Sequence, residues 1–575
     1  MVVASFAEIL SIGAVLPFLT VLTAPEKIIK HPVTQQLIHT LNFSTQHSTL
    51  STKDLLFVLT IAFVIATLLS GGMRLLLLWT STRLSFATGA DLSISIYRRT
   101  LYQPYATHVA RNSSEIINGI STKANGVIYN IIVPIATLIS SSIILIAILL
   151  ALLSVEPIIA LSAFGGFGMI YAVIIKLTQK KQLTNSQCMA RESTQVIKSL
   201  QEGLGGIRDV LIDGSQSTYC QIYSNADQPL RRAQGNSSFI STSPRYIIEP
   251  LGMVLIATLA YILANQPDGI SKAIPVLGAL ALGAQRLLPV LQQAYSSLSS
   301  IQGGQASLQD TLDLLDQPLP DYVDKPAATP IPFNQKINLK NLSFRYSTKT
   351  PLVLNNLNLT IPKGSRIGFI GVTGSGKSTL LDIIMGLLQP TEGTVQIDNE
   401  PITKSNHRAW QAHIAHVPQA IFLADSTIEE NIAFGIPKNK IDLKRVKQAA
   451  EQAQIADIIE TWPKKYKTYV GERGIRISGG QRQRIGIARA LYKQANVIIF
   501  DEATSALDNE TEHAVMQSIE TLGQDLTILI IAHRLTTLKE CTQIIELGES
   551  GIKRIGNYQE IINNVIKGTS DFVEY

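Results

Sequence analysis

Cysteine is almost missing from this chain of 575 residues: Cys188, Cys220 and Cys541 are the only three. They stand too far apart for a metal-ligand pattern, which excludes a zinc module read from spacing. All three fall in segments placed below on the cytoplasmic side, so reduced thiols are expected. Charge is sparse too, at 16% of residues, and 49 Lys plus Arg against 43 Asp plus Glu leave a net charge of +6. For this length that excess gives no case for nucleic acid. No basic segment precedes the first apolar stretch, and that stretch runs past the length of a leader, so no cleavable signal peptide is expected. Apolar residues are plentiful, at 46%, and they are unevenly spread. The length calls for more than one domain.

Six runs in the first half are long enough to cross a hydrocarbon core of roughly 30 Å, which takes about 20 helical residues. They lie near 2–22, 55–80, 127–154, 158–177, 246–264 and 270–291. In lipid the backbone must satisfy its own hydrogen bonds, so these runs are expected as helices. The segments after the second and fourth runs are long and basic. One holds Arg83, Arg98, Arg99, Arg111 and Lys123; the other holds Lys180, Lys181, Arg191, Lys198, Arg208, Arg231 and Arg232. Positive loops stay inside, which puts both on the cytoplasmic side. Some of their residues are expected to continue the helices beyond the membrane. Between the first two runs, 33–41 reads either as an amphipathic surface helix or as a polar loop.

Charges within the apolar runs are costly and mark a cavity or an internal partner. Arg74 follows Gly71-Gly72, Arg245 and Glu249 open the fifth run, Arg286 sits beside Gly283 and Pro289, and Glu8 lies in the first. Arg74, Arg245 and Arg286 are the candidate substrate contacts, because guanidinium forks match phosphate oxygens. The alternative is pairing of Arg74 or Arg286 with Glu8, or snorkelling to an interface.

After Gln317-Pro318-Leu319-Pro320 the pattern changes. The expected domains are 1–315 for the helical membrane part, 316–336 for a linker and 337–575 for an α/β domain. Strands are expected at 337–339 and 342–344, with Tyr346 just beyond, where an aromatic could stack on adenine. Gly371-Val372-Thr373-Gly374-Ser375-Gly376-Lys377-Ser378-Thr379 fits G-x-x-x-x-G-K-[ST], between an apolar strand and a helical run. Small residues let the N–H groups of Gly371, Thr373, Gly374, Ser375 and Gly376 converge on phosphate oxygens. The helix that Thr379 continues adds its positive end. Lys377 would reach the β- and γ-phosphates, and Ser378 would ligate Mg²⁺. Val497-Ile498-Ile499-Phe500-Asp501-Glu502 is a strand ending in two carboxylates. Asp501 suits a Mg²⁺ ligand and Glu502 a group that polarises the attacking water. Ser478-Gly479-Gly480-Gln481 could open a helix toward a phosphate, and His533 ends a strand, where it could contact a γ-phosphate.

At these residues the chain resembles the ATP-binding cassette (ABC) superfamily. The likeness adds Tyr346 as its A-loop aromatic and Gln419 in His416-Val417-Pro418-Gln419 as its Q-loop. Ser478-Gly479-Gly480-Gln481 looks like its signature, Asp508 closes its D-loop, and His533 is its switch histidine. Ile477 stands where the family usually has leucine. The resemblance implies ATP and Mg²⁺ as cofactors, catalytic roles for Lys377, Gln419, Glu502 and His533, and Gln419 as a further metal ligand. It implies an exporter-type half-transporter: an all-α six-helix transmembrane domain followed by an α/β P-loop NTPase domain. Two copies would form two ATP sites, the signature of one completing the P-loop of the other. Cytoplasmic turns near 103–111 and 213–219 would couple the domains. The expected place is a bacterial cytoplasmic membrane, with the cassette inside and no nucleic acid partner.

The membrane half is similar to bacterial lipid-linked oligosaccharide flippases in Ala14-Val15-Leu16-Pro17-Phe18, Arg74, Pro244-Arg245 and Arg286-Leu287-Leu288-Pro289. That likeness implies a polyprenyl-pyrophosphate glycan as substrate. Family members carry an elbow helix before the first span, so a truncated or late-assigned start is expected here. Other readings remain open: a lipid or multidrug exporter, a peptide exporter, or, from another class, an ATP-gated channel or regulatory membrane subunit.

Overall fold

The structure is a computed structural model. It describes residues 3–4, 6–7, 52–153, 157–264, 269–326, 328–503, 507–520, 525–532, 534–549 and 551–561. The chain divides into two compact units: Met1–Gln103 with Arg111–Leu319, and Pro104–Ala110 with Pro320–Tyr575. The 33–41 segment lies outside the described residues, as does all of the first expected span except residues 3–4 and 6–7, which are helical.

The first unit is helical among its described residues. Helix α1 spans Thr52–Leu101. At 1.5 Å per residue its 50 residues reach about 75 Å, far beyond a hydrocarbon core. The apolar run near 55–80 therefore continues without a break into a polar helix. The short α2, Tyr105–Ala110, groups with the second unit. Helix α3 covers 113–153, and its α-helical course is interrupted by π-helical turns at Gly119–Lys123 and Ile128–Ile132. Tertiary contacts surround the first turn. A Cβ on Gly119 would stand 2.5 Å from Leu314 Cδ1, and Lys123 Nζ lies 2.5 Å from Asp310 Oδ2. Then come α4 (Pro157–Gly205), α5 (Ile207–Ile212), α6 (Gln216–Thr242), α7 (Pro244–Ala264) and α8 (Gly269–Leu315). Stretches Thr60–Leu101 and Ser113–Leu150 are apolar enough to span a membrane, with mean hydropathy 2.1 and 2.6 in their best windows. An amide joins three of the helices: fully buried Gln182 on α4 donates to Ser237 Oγ on α6 at 2.8 Å and to Ser299 O on α8 at 3.0 Å.

The second unit holds two sheets. One is antiparallel, in the order β2-β1-β4-β5, from β1 (Lys336–Phe344), β2 (Leu354–Pro362), β4 (Glu392–Ile397) and β5 (Glu400–Pro401). The two strands expected at 337–339 and 342–344 are one strand, β1. Its register shifts between Leu339 and Leu342, where Asn341 takes a left-handed φ of 48°. The other sheet runs β10-β9-β3-β8-β7-β6, parallel except for the edge strand β10. Its members are β3 (Arg366–Ile370), β6 (Ile414–Val417), β7 (Val497–Asp501), β8 (Thr527–Ile531), β9 (Gln543–Leu547) and β10 (Ile552–Gly556). Strands β7 and β8 are buried along almost their whole length, as continuous Val/Ile/Leu runs covered on both faces must be. Helix α9 is Lys377–Ile384 and α10 is His407–Gln411; fully buried Trp410 of α10 donates its indole N–H to Ile384 O at 2.7 Å. Further on lie α11 (Ile428–Ile432), α12 (Leu443–Gln452), α13 (Ala456–Thr461), α14 (Gly479–Lys493) and α15 (Asn509–Glu520). All three cysteines are free thiols, and burial pushes Cys541 up to about 12.

Candidate functional site

In an open parallel sheet, ligands gather beyond the carboxyl ends of the strands. That is where β3, β6 and β7 deliver the residues marked in the sequence. Strand β3 runs into the loop 371–376, which ends at α9. Gly371 and Gly376 have φ of 147° and 89°, in the range that favours glycine. A Cβ on Gly371 would lie 2.3 Å from Leu547 O and 2.8 Å from Ser375 Oγ; on Gly376 it would lie 2.9 Å from Leu354 Cδ2. The loop is thus a cradle that added side chains would obstruct. Gly374, at φ 85°, and Thr373 are exposed on it, and Ser378 is exposed at the start of α9. The Ser375 hydroxyl is buried without a hydrogen-bond partner. Lys377 Nζ donates to Gly371 O at 2.8 Å and Val372 O at 3.1 Å. Burial pulls its pKa below the usual lysine range, against the opposing pull of Glu502 and Asp501. A buried ammonium held on loop carbonyls, an orphaned hydroxyl and a ring of small residues fit a bound polyphosphate.

Asp501 closes β7, and Glu502 follows at φ 51° with its N–H donating to Ile531 O at 3.0 Å. Gln419, beyond β6, donates from Nε2 to Glu502 Oε2 at 2.6 Å. Tyr346 packs edge-on against Phe344 with ring centroids 5.0 Å apart. Its hydroxyl lies 2.9 Å from Thr379 Oγ1, which ties it to the first turn of α9. The Ser378 hydroxyl and the Asp501 carboxylate are the donors that would hold Mg²⁺, and the Gln419 amide meets Glu502, the residue after Asp501.

The signature residues form a separate group. Ser478 caps α14: its hydroxyl oxygen accepts from Gln481 N–H at 3.2 Å, and Gln481 Oε1 accepts from Ser478 N–H at 2.9 Å. This capping box leaves Gly479 and Gly480 at the positive end of a 15-residue helix. The Asp508 carboxylate accepts from Thr511 N–H at 2.9 Å and Thr511 Oγ1 at 2.8 Å, which holds its pKa below the usual range. His533 lies outside the described residues.

Asp382 escaped the sequence reading. It stands one turn beyond Ser378 on α9, and burial, then the Asp501 charge, raise its pKa from 3.8 to about 6. The available signal was an acid in the apolar run Leu380-Leu381-Asp382-Ile383-Ile384, spaced i+4 from Ser378. A carboxyl with a raised pKa keeps its proton in the folded state after the unfolded chain has lost it. Stability then falls as pH rises from about 4 to 6 and stays lowered above that. Asp382→Asn is therefore expected to raise the thermal midpoint of the nucleotide-free protein at pH 8 and to leave it unchanged near pH 4. Equal midpoints at pH 8 would contradict the shift.

In the helical unit, Arg74 is half-buried on α1. Arg245 Nε donates to Glu249 Oε1 at 2.8 Å, one turn along α7. Arg286 lies on α8, with its side chain outside the described part, as is Glu8.

The family model described as "ABC transporter" matches residues 354–505, and the one described as "ABC transporter transmembrane region" matches residues 11–267. An "ATP-dependent lipid A-core flippase" of Chromohalobacter salexigens is 31% identical, over 68% of this chain and 67% of the relative. One of the same name from Cupriavidus metallidurans is 27% identical, over 82% and 79%. The fold is similar to the "Structure of a bacterial Atm1-family ABC exporter with ATP bound", with TM-score 0.76, 23% identity and coverage of 96% of this chain and 95% of that one. The chain belongs to the ABC transporter family: an exporter-type transmembrane region is fused to a cassette that binds ATP with Mg²⁺ and couples its hydrolysis to transport.

Proposed function

We propose that the chain flips a lipid, a polyprenyl-pyrophosphate oligosaccharide, across a bacterial cytoplasmic membrane, and that it works as a homodimer with two ATP sites. The observation that carries the lipid reading is the placing of an arginine in the apolar stretch of each of two helices, Arg74 on α1 and Arg286 on α8. Guanidinium groups there suit a charged headgroup whose tail stays in lipid. The relatives named as lipid flippases support the same class of substrate.

In the cassette, Lys377 and the loop N–H groups hold the phosphates, Tyr346 supports the base, and Ser378, Gln419 and Asp501 hold Mg²⁺. Bound ATP–Mg²⁺ supplies the transferable phosphoryl group and the charge that offsets its oxygens. Glu502, held by Gln419, orients the water, and His533 completes the γ-phosphate side. Ser478, Gly479, Gly480, Gln481 and Asp508 serve the site of the other copy. Closure of the dimer shifts the spans between states only if ATP discriminates between them.

The test uses proteoliposomes with a fluorescent polyprenyl-pyrophosphate glycan whose outer-leaflet fraction is read by chemical quenching. Transport is expected to need ATP hydrolysis and to fall about tenfold in Arg74→Ala, the loss of one charge-assisted hydrogen bond. A general drug exporter would be indifferent to that substitution, and an ATP-gated channel would show no hydrolysis-dependent transport.

A further inference from the structure

The helical unit carries an open cavity of about 360 Å³, lined from α4, α6, α7 and α8 and within the size range of small-ligand sites, with Arg245 exposed and Glu249 half-buried at it. Arg245 and Glu249 are the only charged side chains lining it among the described residues. We infer that this cavity recognises the hydroxyl groups of a saccharide headgroup rather than its phosphate, with Arg245 and Glu249 acting as one neutral hydrogen-bonding unit. The inference rests on the glycolipid reading above.

The argument starts from charge. Arg245 Nε is already committed to Glu249 Oε1, so the cavity does not present a bare cation. An ionised phosphate entering it would meet the Glu249 carboxylate as well as the guanidinium. It would also offer only acceptors, and so could satisfy no acceptor of the protein. A sugar hydroxyl both donates and accepts, and the cavity presents both kinds of group side by side. Arg245 keeps its two Nη groups as donors, and Glu249 keeps its second oxygen as acceptor. Gln293 also lines the cavity, and its amide NH₂ has no partner among the described residues, whereas its carbonyl lies 3.5 Å from Ser141 Oγ. Gln292 is held in place from both ends: the Tyr171 hydroxyl donates to its Oε1 at 3.0 Å, and its Nε2 donates to Ser241 O at 3.1 Å. Paired donor and acceptor groups on one lining suit sugar hydroxyls, each of which both donates and accepts. Tyr246, also on the lining and exposed, adds an aromatic ring, a group on which the C–H side of a sugar can pack.

Two probes with one tail separate the possibilities: a polyprenyl pyrophosphate, whose bare phosphates form the control, and the same lipid carrying a single glucose on the terminal phosphate. Binding of each to the full chain in nanodiscs is measured by isothermal titration. Wild type is expected to bind the glucosylated lipid more tightly than the bare phosphate. Glu249→Gln and, separately, Gln293→Ala are expected to weaken glucosylated-lipid binding about tenfold, the loss of one hydrogen bond to a charged or fixed partner. Glu249→Gln is expected to leave bare-phosphate binding equal or tighter, since it removes the opposing charge; retained phosphate binding also shows that the variant is folded. If both lipids bind wild type and the substitutions change neither or change both equally, the cavity has no hydroxyl selectivity and the inference falls while the lipid substrate stands. If neither lipid binds wild type, the glycolipid reading itself falls.

Discussion

Glu502→Gln is expected to lower steady-state ATP hydrolysis by about 10²–10⁴-fold while the protein still binds ATP. The substitution keeps the shape of the side chain and removes the charge that polarises water. Its position makes the loss specific. Glu502 leaves the end of β7 directly after Asp501, receives the Gln419 amide at 2.6 Å and interacts electrostatically with the buried Lys377. The phosphate-holding loop is untouched, so ATP should be retained; in Lys377→Ala both binding and turnover should suffer. The measurement pairs phosphate release with the amount of nucleotide retained after rapid gel filtration. Near-normal phosphate release by Glu502→Gln would remove this residue from the chemistry.

The second large effect concerns assembly. Lys377→Ala and Gly479→Asp are each expected to abolish turnover when all chains carry the same substitution, by at least the roughly 10²-fold that removal of one phosphate-stabilising group costs. The reasons differ. One removes the ammonium from the cradle; the other places a carboxylate at the positive end of α14, where a phosphate belongs. If the two groups meet only between copies, a mixture of the two variants regains activity. A mixed dimer has one site with an intact Lys377 from one chain and an intact Gly479 from the other. Co-expression with two affinity tags isolates that species, and its ATPase rate is read directly. A mixed dimer as inactive as its parents would show that each chain serves its own site.

Much of the cassette was legible because its motifs are local. The P-loop is one strand, one turn and one helix start, and strands buried on both faces announce themselves as apolar runs. The membrane helices were legible only where lipid demanded apolar residues. Helix α1 continues to Leu101 because polar residues in a solvated helix obey no hydropathy rule, so its length could not be read from the run near 55–80. The π-helical turns in α3 were not legible at all: the neighbours around the first, Leu314 against Gly119 and Asp310 against Lys123, lie nearly two hundred positions away. Asn341 hid in the same way. A polar residue between two short apolar stretches reads as a break, yet its left-handed backbone keeps β1 continuous through a shift of register. Asp382 was visible as a letter, but its altered acidity depends on burial and on Asp501, which lies on another strand.

The backbone of Glu502 has a consequence for how this position can vary. At φ 51° a residue with a side chain costs about 1–2 kcal/mol relative to its relaxed conformations, and glycine avoids that cost. Selection for folding alone would favour glycine or asparagine here. A glutamate kept in such a place marks a trade of stability for activity. Variants freed from the need to hydrolyse ATP should drift toward glycine at 502 and gain heat resistance as they do so.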